Sequence, residues 1–421
     1  MKKLLVVLLV LSLAIFAFPK TKVVFWHAMG GGHGKTLEQI VQNFNDTHQD
    51  IEVEAVYVGN YGALSQKLLA GAQAGELPTI SQAYSNWTAK LIQSGVVQSL
   101  NEFLNDSKIG LTKEEWEDVF RPLRENCMWG DTVYAVPFNK SLYVLYYNAD
   151  LFSLYGLDVP KSINELYYNA KVLTEDIDGD GKVDQYGLGF RTTVDFFNIL
   201  LTLRGGSILR FENGKWVSNI DSPETREVLS FVKKMIDDGI AYYQGGYMDG
   251  PFGQQKIAMF IETIASKPYV NKSTAGKFTW AWAPVPVWKT RKVPFAGTDI
   301  IMFASASEDE KKAAWEFMKY LVSPEVTAFW SINTGYIPVR KSALETNIWK
   351  EYVKTDPLAE IPLSQIDNAV FDPQIGVWYE IRTVVGNMFS DFVNGKVDME
   401  TAIKTANDQI NKYLAEEYGN Q

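Results

Sequence analysis

Tyr134–Asn148, reading YAVPFNKSLYVLYYN, cannot be one uninterrupted strand. Val136-Pro137-Phe138 breaks a strand-like run that Ser141–Tyr147 resumes with β-branched and aromatic residues. Proline donates no ladder hydrogen bond, so it belongs on an edge strand or at a crossing between two bodies, not in mid-sheet. The chain's 421 residues exceed one ordinary domain and suit two. The stretch therefore reads as the first passage from one lobe to another, with a ligand held nearby. Val136–Phe138 is the expected hinge and Leu142–Tyr147 the first strand of the second lobe.

Charge narrows the partners. Hydrophobic residues make up 46% and charged residues 21%, enough for sizeable cores in a soluble protein. Net charge is −10, with no Lys/Arg cluster beyond pairs such as Lys233-Lys234, which argues against nucleic acid. Met1-Lys2-Lys3 and the apolar run Leu4–Phe18 have the layout of a secretory signal, and the run is shorter than the roughly 20 residues of a membrane span. Cys127 is the only cysteine, so there is no intrachain disulfide and no cysteine after the signal to carry a lipid. The expected mature protein is exported, periplasmic or otherwise extracytoplasmic, without a lipid anchor.

The order of elements is that of two α/β lobes. Lys22–Trp26 reads as a buried strand, followed by an amphipathic helix with Leu37, Ile40, Val41 and Phe44 on one face. Ile51–Tyr57 alternates like a half-buried strand, completing β-α-β. After the opening stretch, Ile163–Leu173 reads as helix, Tyr186–Phe190 as strand and Phe196–Leu203 as helix. Ser222-Pro223-Glu224 is a helix start, with a serine cap and proline at the first position. Pro284 and Pro286 suggest a second crossing, and Gly335-Tyr336-Ile337-Pro338 a third. Three crossings without a flexible linker imply lobes that share hinges. The expected division is 1–18 signal peptide, 19–136 plus 288–338 first lobe, and 137–287 plus 339–421 second lobe.

Several chemistries fail on spacing. The glycine run before Gly34-Lys35-Thr36 has Met29 where a P-loop needs glycine, and Lys35 stands where a dinucleotide fingerprint needs its third glycine. No HExxH helix, GxSxG elbow or family-type cysteine context is present, so no catalytic residue is assigned and no cofactor is required. Asp176, Asp178, Asp180 and Asp184 match positions 1, 3, 5 and 9 of a calcium loop, but position 12 is Gly187 where a bidentate Glu belongs. The loop reads either as a structural calcium site or as a solvated turn. Aromatic residues are 13% of the chain, and Trp26, Tyr61, Tyr84, Trp87, Tyr147, Phe190 and Tyr336 fall near strand ends or turns, where crevices form in open α/β sheets.

An exported chain of two α/β lobes resembles the solute-binding proteins of ABC importers: the class II periplasmic-binding-protein fold, each lobe a mostly parallel sheet flanked by helices. Phe25-Trp26-His27-x-Met29, Gly59-Asn60-Tyr61, Pro137-Phe138-Asn139, Leu145-Tyr146-Tyr147-Asn148, Thr334-Gly335-Tyr336-Ile337-Pro338 and Ile381-Arg382 narrow the likeness. They are similar to the carbohydrate-type cluster, and within it to the group that binds glycerol 3-phosphate and glycerophosphodiesters. The resemblance implies ligand contacts at Tyr61, Ser141, Thr263, Gly297, Tyr336 and Arg382, with Arg382 anchoring phosphate. Ser85 and Phe190 stand where that group has Glu and Trp for the glycerol end, with Thr193 at a second Trp place. An ion pair with an Asp or Glu is the rival role for Arg382. The resemblance further implies a monomer that closes on a phosphorylated polyol or sugar and delivers it to membrane permease subunits, doing no chemistry itself. A di- or oligosaccharide binder of the same fold is the alternative, and a secreted carbohydrate-active enzyme the alternative of another class.

Overall fold

The structure is a computed structural model that describes residues 20–419. The expected signal segment 1–18 lies outside the described residues. In the first lobe Thr21–His27 pairs in parallel with Ile51–Tyr57 and Ile80–Ala83, and Asp299–Met302 and Ala135–Pro137 extend the sheet. Ala135–Pro137 is the outermost strand, which is why Pro137 is tolerated there. The helix Gly31–Thr47 buries Leu37, Ile40, Val41 and Phe44, the face its spacing predicts. The helices Glu308–Leu321 and Pro324–Thr334 return to pack on this strand–helix pair.

In the second lobe Ser141–Asn148 is the central strand, with every residue from Ser141 to Tyr146 buried. Ile257–Thr263 lines one flank, with Tyr186–Arg191 and Ala241–Gln244 beyond it. Two strands share the other flank: Trp280–Pro284 runs along Val144–Asn148, and Val293–Ala296 along Ser141–Leu142. In each sheet a single strand runs against the others. It is the one that arrives from the neighbouring lobe, Asp299–Met302 in the first and Ser141–Asn148 in the second.

Two expectations about the crossings need correction. Residues 288–296 were placed in the first lobe, yet Val293–Ala296 pairs with Ser141 and Leu142 of the second sheet. Pro284 ends one strand, but the chain doubles back to fill the same flank and crosses only at Gly297-Thr298. Past residue 339, the helix Asn347–Thr355 still packs on Pro324–Thr334 of the first lobe, whereas the Leu358 carbonyl already accepts from Trp282 of the second, at 2.6 Å.

The three crossings meet at Lys140. Its carbonyl accepts from Ile337 N–H at 3.0 Å, joining the third crossing to the first. Its ammonium pairs with Asp299 at 2.6 Å, joining the first to the second, and the two side chains are 0% and 1% exposed. Asn126 Nδ2 and the Cys127 thiol also donate to Asp299. Gly297 adopts φ +105°, and a Cβ there would lie 1.9 Å from the Asn139 carbonyl oxygen, so only glycine lets the two crossings run side by side.

Candidate ligand-binding cleft

A cleft of about 1180 Å³ opens between the lobes beside these crossings, large for a small-molecule site, which usually holds about 300–1,000 Å³. Of the side chains and backbone expected to face a ligand, Tyr61, Ser85, Ser141, Thr263, Gly297, Tyr336 and Arg382 all line it. Phe190 does not. It is 0% exposed and stacks on Phe196 with centroids 4.7 Å apart, a core ring. Its neighbour Arg191 faces the cleft instead, because successive strand residues point to opposite faces. Among the aromatic residues singled out near strand ends, Tyr61, Tyr84, Trp87 and Tyr336 line the cleft, while Trp26 and Tyr147 do not.

Local sequence accounts for several of these positions. Asn60 caps the helix Tyr61–Ala74, its side chain accepting from Ala63 N–H, so Tyr61 begins the first turn and points into the cleft mouth. Gly335, at φ +84°, ends the helix Pro324–Thr334 and turns Tyr336 inward, where its ring stacks on Trp330 at 5.8 Å. Ser141 Oγ accepts from Ala265 N–H at 3.3 Å, tying the first strand past the hinge to the loop beyond Thr263.

Apart from Arg382, the charges on the second-lobe wall were not legible in the sequence. Arg382 reaches Asp372 at 3.1 Å and also pairs with Asp195. Burial pushes the Asp372 carboxyl up despite the arginine, whereas at Asp195 burial, the largest single effect, is outweighed by Arg382, Arg191 and the Tyr143 hydroxyl together, which hold it below the ordinary range. Arg191 pairs with Glu262 at 3.4 Å and lies 4.2 Å over the Tyr247 ring. Burial raises the Glu262 carboxyl above its usual value, Arg191 offsetting only part of the effect. Lys90 of the first lobe pairs with Glu380 of the second at 3.6 Å, and Gln93 donates to Glu417 at 2.7 Å, so the lobes touch across the cleft. With Asp249, the cleft is lined by five carboxylates and three cations, and each cation has an acidic partner. The rival ion-pair role weighed for Arg382 is the arrangement found.

The acidic loop is an exposed turn on the second lobe. Carboxylate oxygens of Asp176, Asp178 and Asp184 lie within 4.8 Å of one another, and Asp180 pairs with Lys182 at 2.9 Å. Backbone N–H groups within the loop satisfy Asp176 and Asp184.

Residues 30–328 match the family of bacterial extracellular solute-binding proteins. The chain is 26% identical over 426 residues to the sn-glycerol-3-phosphate-binding periplasmic protein UgpB of Salmonella typhimurium, with 96% of each covered. UgpB of Pectobacterium atrosepticum is likewise 26% identical, over 94% of this chain and 91% of that one. Among solved structures, UgpB from Mycobacterium tuberculosis with glycerophosphocholine superposes with TM-score 0.81 at 20% identity, covering 94% of this chain and 99% of the other. The GacH receptor of Streptomyces glaucescens, solved unliganded and with acarbose, gives TM-score 0.79 at 20% identity, covering 94% and 98%. These likenesses bear out the two-lobed fold. Among the described residues no helix is long and apolar enough to cross a membrane. The family and its named relatives bind solutes and are not enzymes, which sets aside the carbohydrate-active enzyme. The chain belongs to the bacterial extracellular solute-binding protein family.

Proposed function

We propose that this protein is the extracytoplasmic solute-binding component of an ABC importer, and that its cleft takes a neutral, polyhydroxylated ligand of the di- or oligosaccharide class. One observation carries the choice of ligand: every cation lining the cleft is already matched by a carboxylate, and carboxylates are in excess. A phosphate dianion at Arg382 would have to displace Asp195 or Asp372. Both carboxylates are about a third exposed, so losing the arginine costs less than in a fully buried pair, yet it weighs against a phosphate at this position. A neutral sugar keeps those ion pairs and uses the spare carboxylate lone pairs as hydroxyl acceptors. Tyr84 and the exposed Tyr269 also line the cleft and can stack on the sugar's apolar faces. The volume suits more than one sugar ring.

A second reading keeps a glycerophosphodiester. Tyr61, Ser141, Thr263, Gly297, Tyr336 and Arg382 share one cleft, the set the sequence resemblance implies, and UgpB of Mycobacterium tuberculosis was solved with glycerophosphocholine. A diester monoanion demands less cationic charge than glycerol 3-phosphate does. A thermal-shift panel of maltose, maltotriose, trehalose and mannose-type sugars against glycerol 3-phosphate and glycerophosphocholine separates the readings. A ligand at 100 times its Kd adds about 2.7 kcal/mol of stability. Stabilisation by neutral sugars alone supports the proposal, and stabilisation by the phosphates alone overturns it. The calcium assignment for Asp176, Asp178, Asp180 and Asp184 stays a proposal of the same kind, with Asp180 the one acid outside the close cluster, and is tested by calcium-dependent melting.

A further inference from the structure

Asn139 lies at the first crossing, fully buried, beside two tyrosines that face the cleft. Its hydrogen bonds run in one direction. The chain begins at a group whose role is fixed: Ala28 N–H can only donate, and it donates to Gln82 Oε1 at 2.8 Å. That leaves the Gln82 amide nitrogen as donor to Asn139 Oδ1 at 2.9 Å and to Thr298 Oγ1 at 3.0 Å. Thr298, its hydroxyl oxygen occupied, gives its own proton to Asn139 Oδ1, and its N–H points to the same atom at 3.4 Å. Asn139 Oδ1 is saturated by donors, so its Nδ2 must face the Tyr61 hydroxyl, 2.8 Å away. The Tyr61 oxygen accepts there, so its one proton is left for a molecule bound in the cleft that Tyr61 and Tyr336 both line.

We propose that Asn139 is a positioning residue. Through the relay from Ala28, Gln82 and Thr298, it fixes Tyr61 as a hydrogen-bond donor into the cleft and ties that donor to the first and second crossings. The site therefore requires an acceptor oxygen (ether, hydroxyl or phosphoryl) opposite Tyr61 and Tyr336, whichever ligand class it takes. An amide flip at 139 would reverse Tyr61, and the orientation set at residues 28, 82 and 298 opposes that flip.

The test reverses the relay from a distance, without ligand. In Gln82→Glu, read at a pH where the acid is ionised, the side chain still accepts from Ala28 but offers no proton to Asn139. The Asn139 amide then turns its nitrogen toward the acid, and Tyr61 becomes a donor to Asn139 Oδ1. With 3-fluorotyrosine at position 61, fluorine NMR of the full-length protein should show the resonance shifted in Gln82→Glu and in Asn139→Asp. It should be unmoved in Thr298→Ser, which keeps the hydroxyl. 3-Fluorotyrosine at the exposed position 168 should stay constant throughout. A resonance at 61 that does not move in folded Gln82→Glu or folded Asn139→Asp overturns the proposal. Thr298→Val, in which Gln82 still donates to Oδ1, should leave Tyr61 unreversed; should one acidic variant fail to fold, the other supplies the reading.

Discussion

Replacing Asp299 with Asn tests how the lobes are joined. The Lys140–Asp299 pair is 2.6 Å long with side chains 0% and 1% exposed. Removing one partner of so buried a pair costs about 3–5 kcal/mol, chiefly because the other charge is left unmatched. The two halves are not equivalent. Without the carboxylate charge, the Lys140 ammonium keeps only neutral partners: the new amide oxygen, the Gly297 carbonyl 3.5 Å away and the Phe295 ring at 5.3 Å. Without the lysine, Asp299 still has Asn126 and Cys127 as donors and can protonate, since burial already pushes its carboxyl up. Asp299→Asn should therefore lose about 3–5 kcal/mol and Lys140→Met less, read from urea unfolding followed by tryptophan fluorescence. The Lys140→Met loss should also depend on pH. A carboxyl raised on folding favours the folded state at low pH, and that advantage disappears as pH rises through its folded value. The double variant Lys140→Met/Asp299→Asn should be at least about 1 kcal/mol more stable than additivity of the singles allows. A loss below about 1 kcal/mol for Asp299→Asn, or strict additivity, would refute the reasoning.

Two further outcomes follow. His27 is buried, accepts from Met29 N–H, and is pushed down to about 4 by burial. The unfolded chain thus binds a proton that the folded one refuses between pH 6.5 and 4, and stability falls on acidification by up to about 3 kcal/mol from this group; His27→Gln should flatten that part of the pH–stability curve, measured by urea titration. Phe190→Ala should cost about 3–5 kcal/mol as a core cavity while leaving unchanged the order in which sugars and phosphates raise the melting temperature, because its ring does not reach the cleft.

What the sequence revealed depended on how local the cause was. The helix Gly31–Thr47 was legible because its buried face repeats within a few residues, and the start at Ser222 because a cap is a local bond, here to Thr225 N–H at 3.2 Å. The second crossing was not. Pro284 breaks a strand locally, but nothing local says that Val293–Ala296 will fill the same flank of the sheet. Phe190 was misassigned by a single residue of alternation, with Arg191 on the face that matters. The partners of Arg382 lie 187 and 10 positions away in sequence, a juxtaposition made by the fold and invisible to motif spacing. The relay through Asn139 likewise joins Gln82 to Thr298 across 216 positions.

The central claim is that the cleft's cations are already engaged, and calorimetric titration of glycerol 3-phosphate tests it most directly. The account predicts no saturable heat with the wild type. It predicts that binding emerges in Asp195→Asn/Asp372→Asn, where Arg382 is freed to take the phosphate bidentately. Micromolar binding by the wild type that disappears in Arg382→Ala would contradict it.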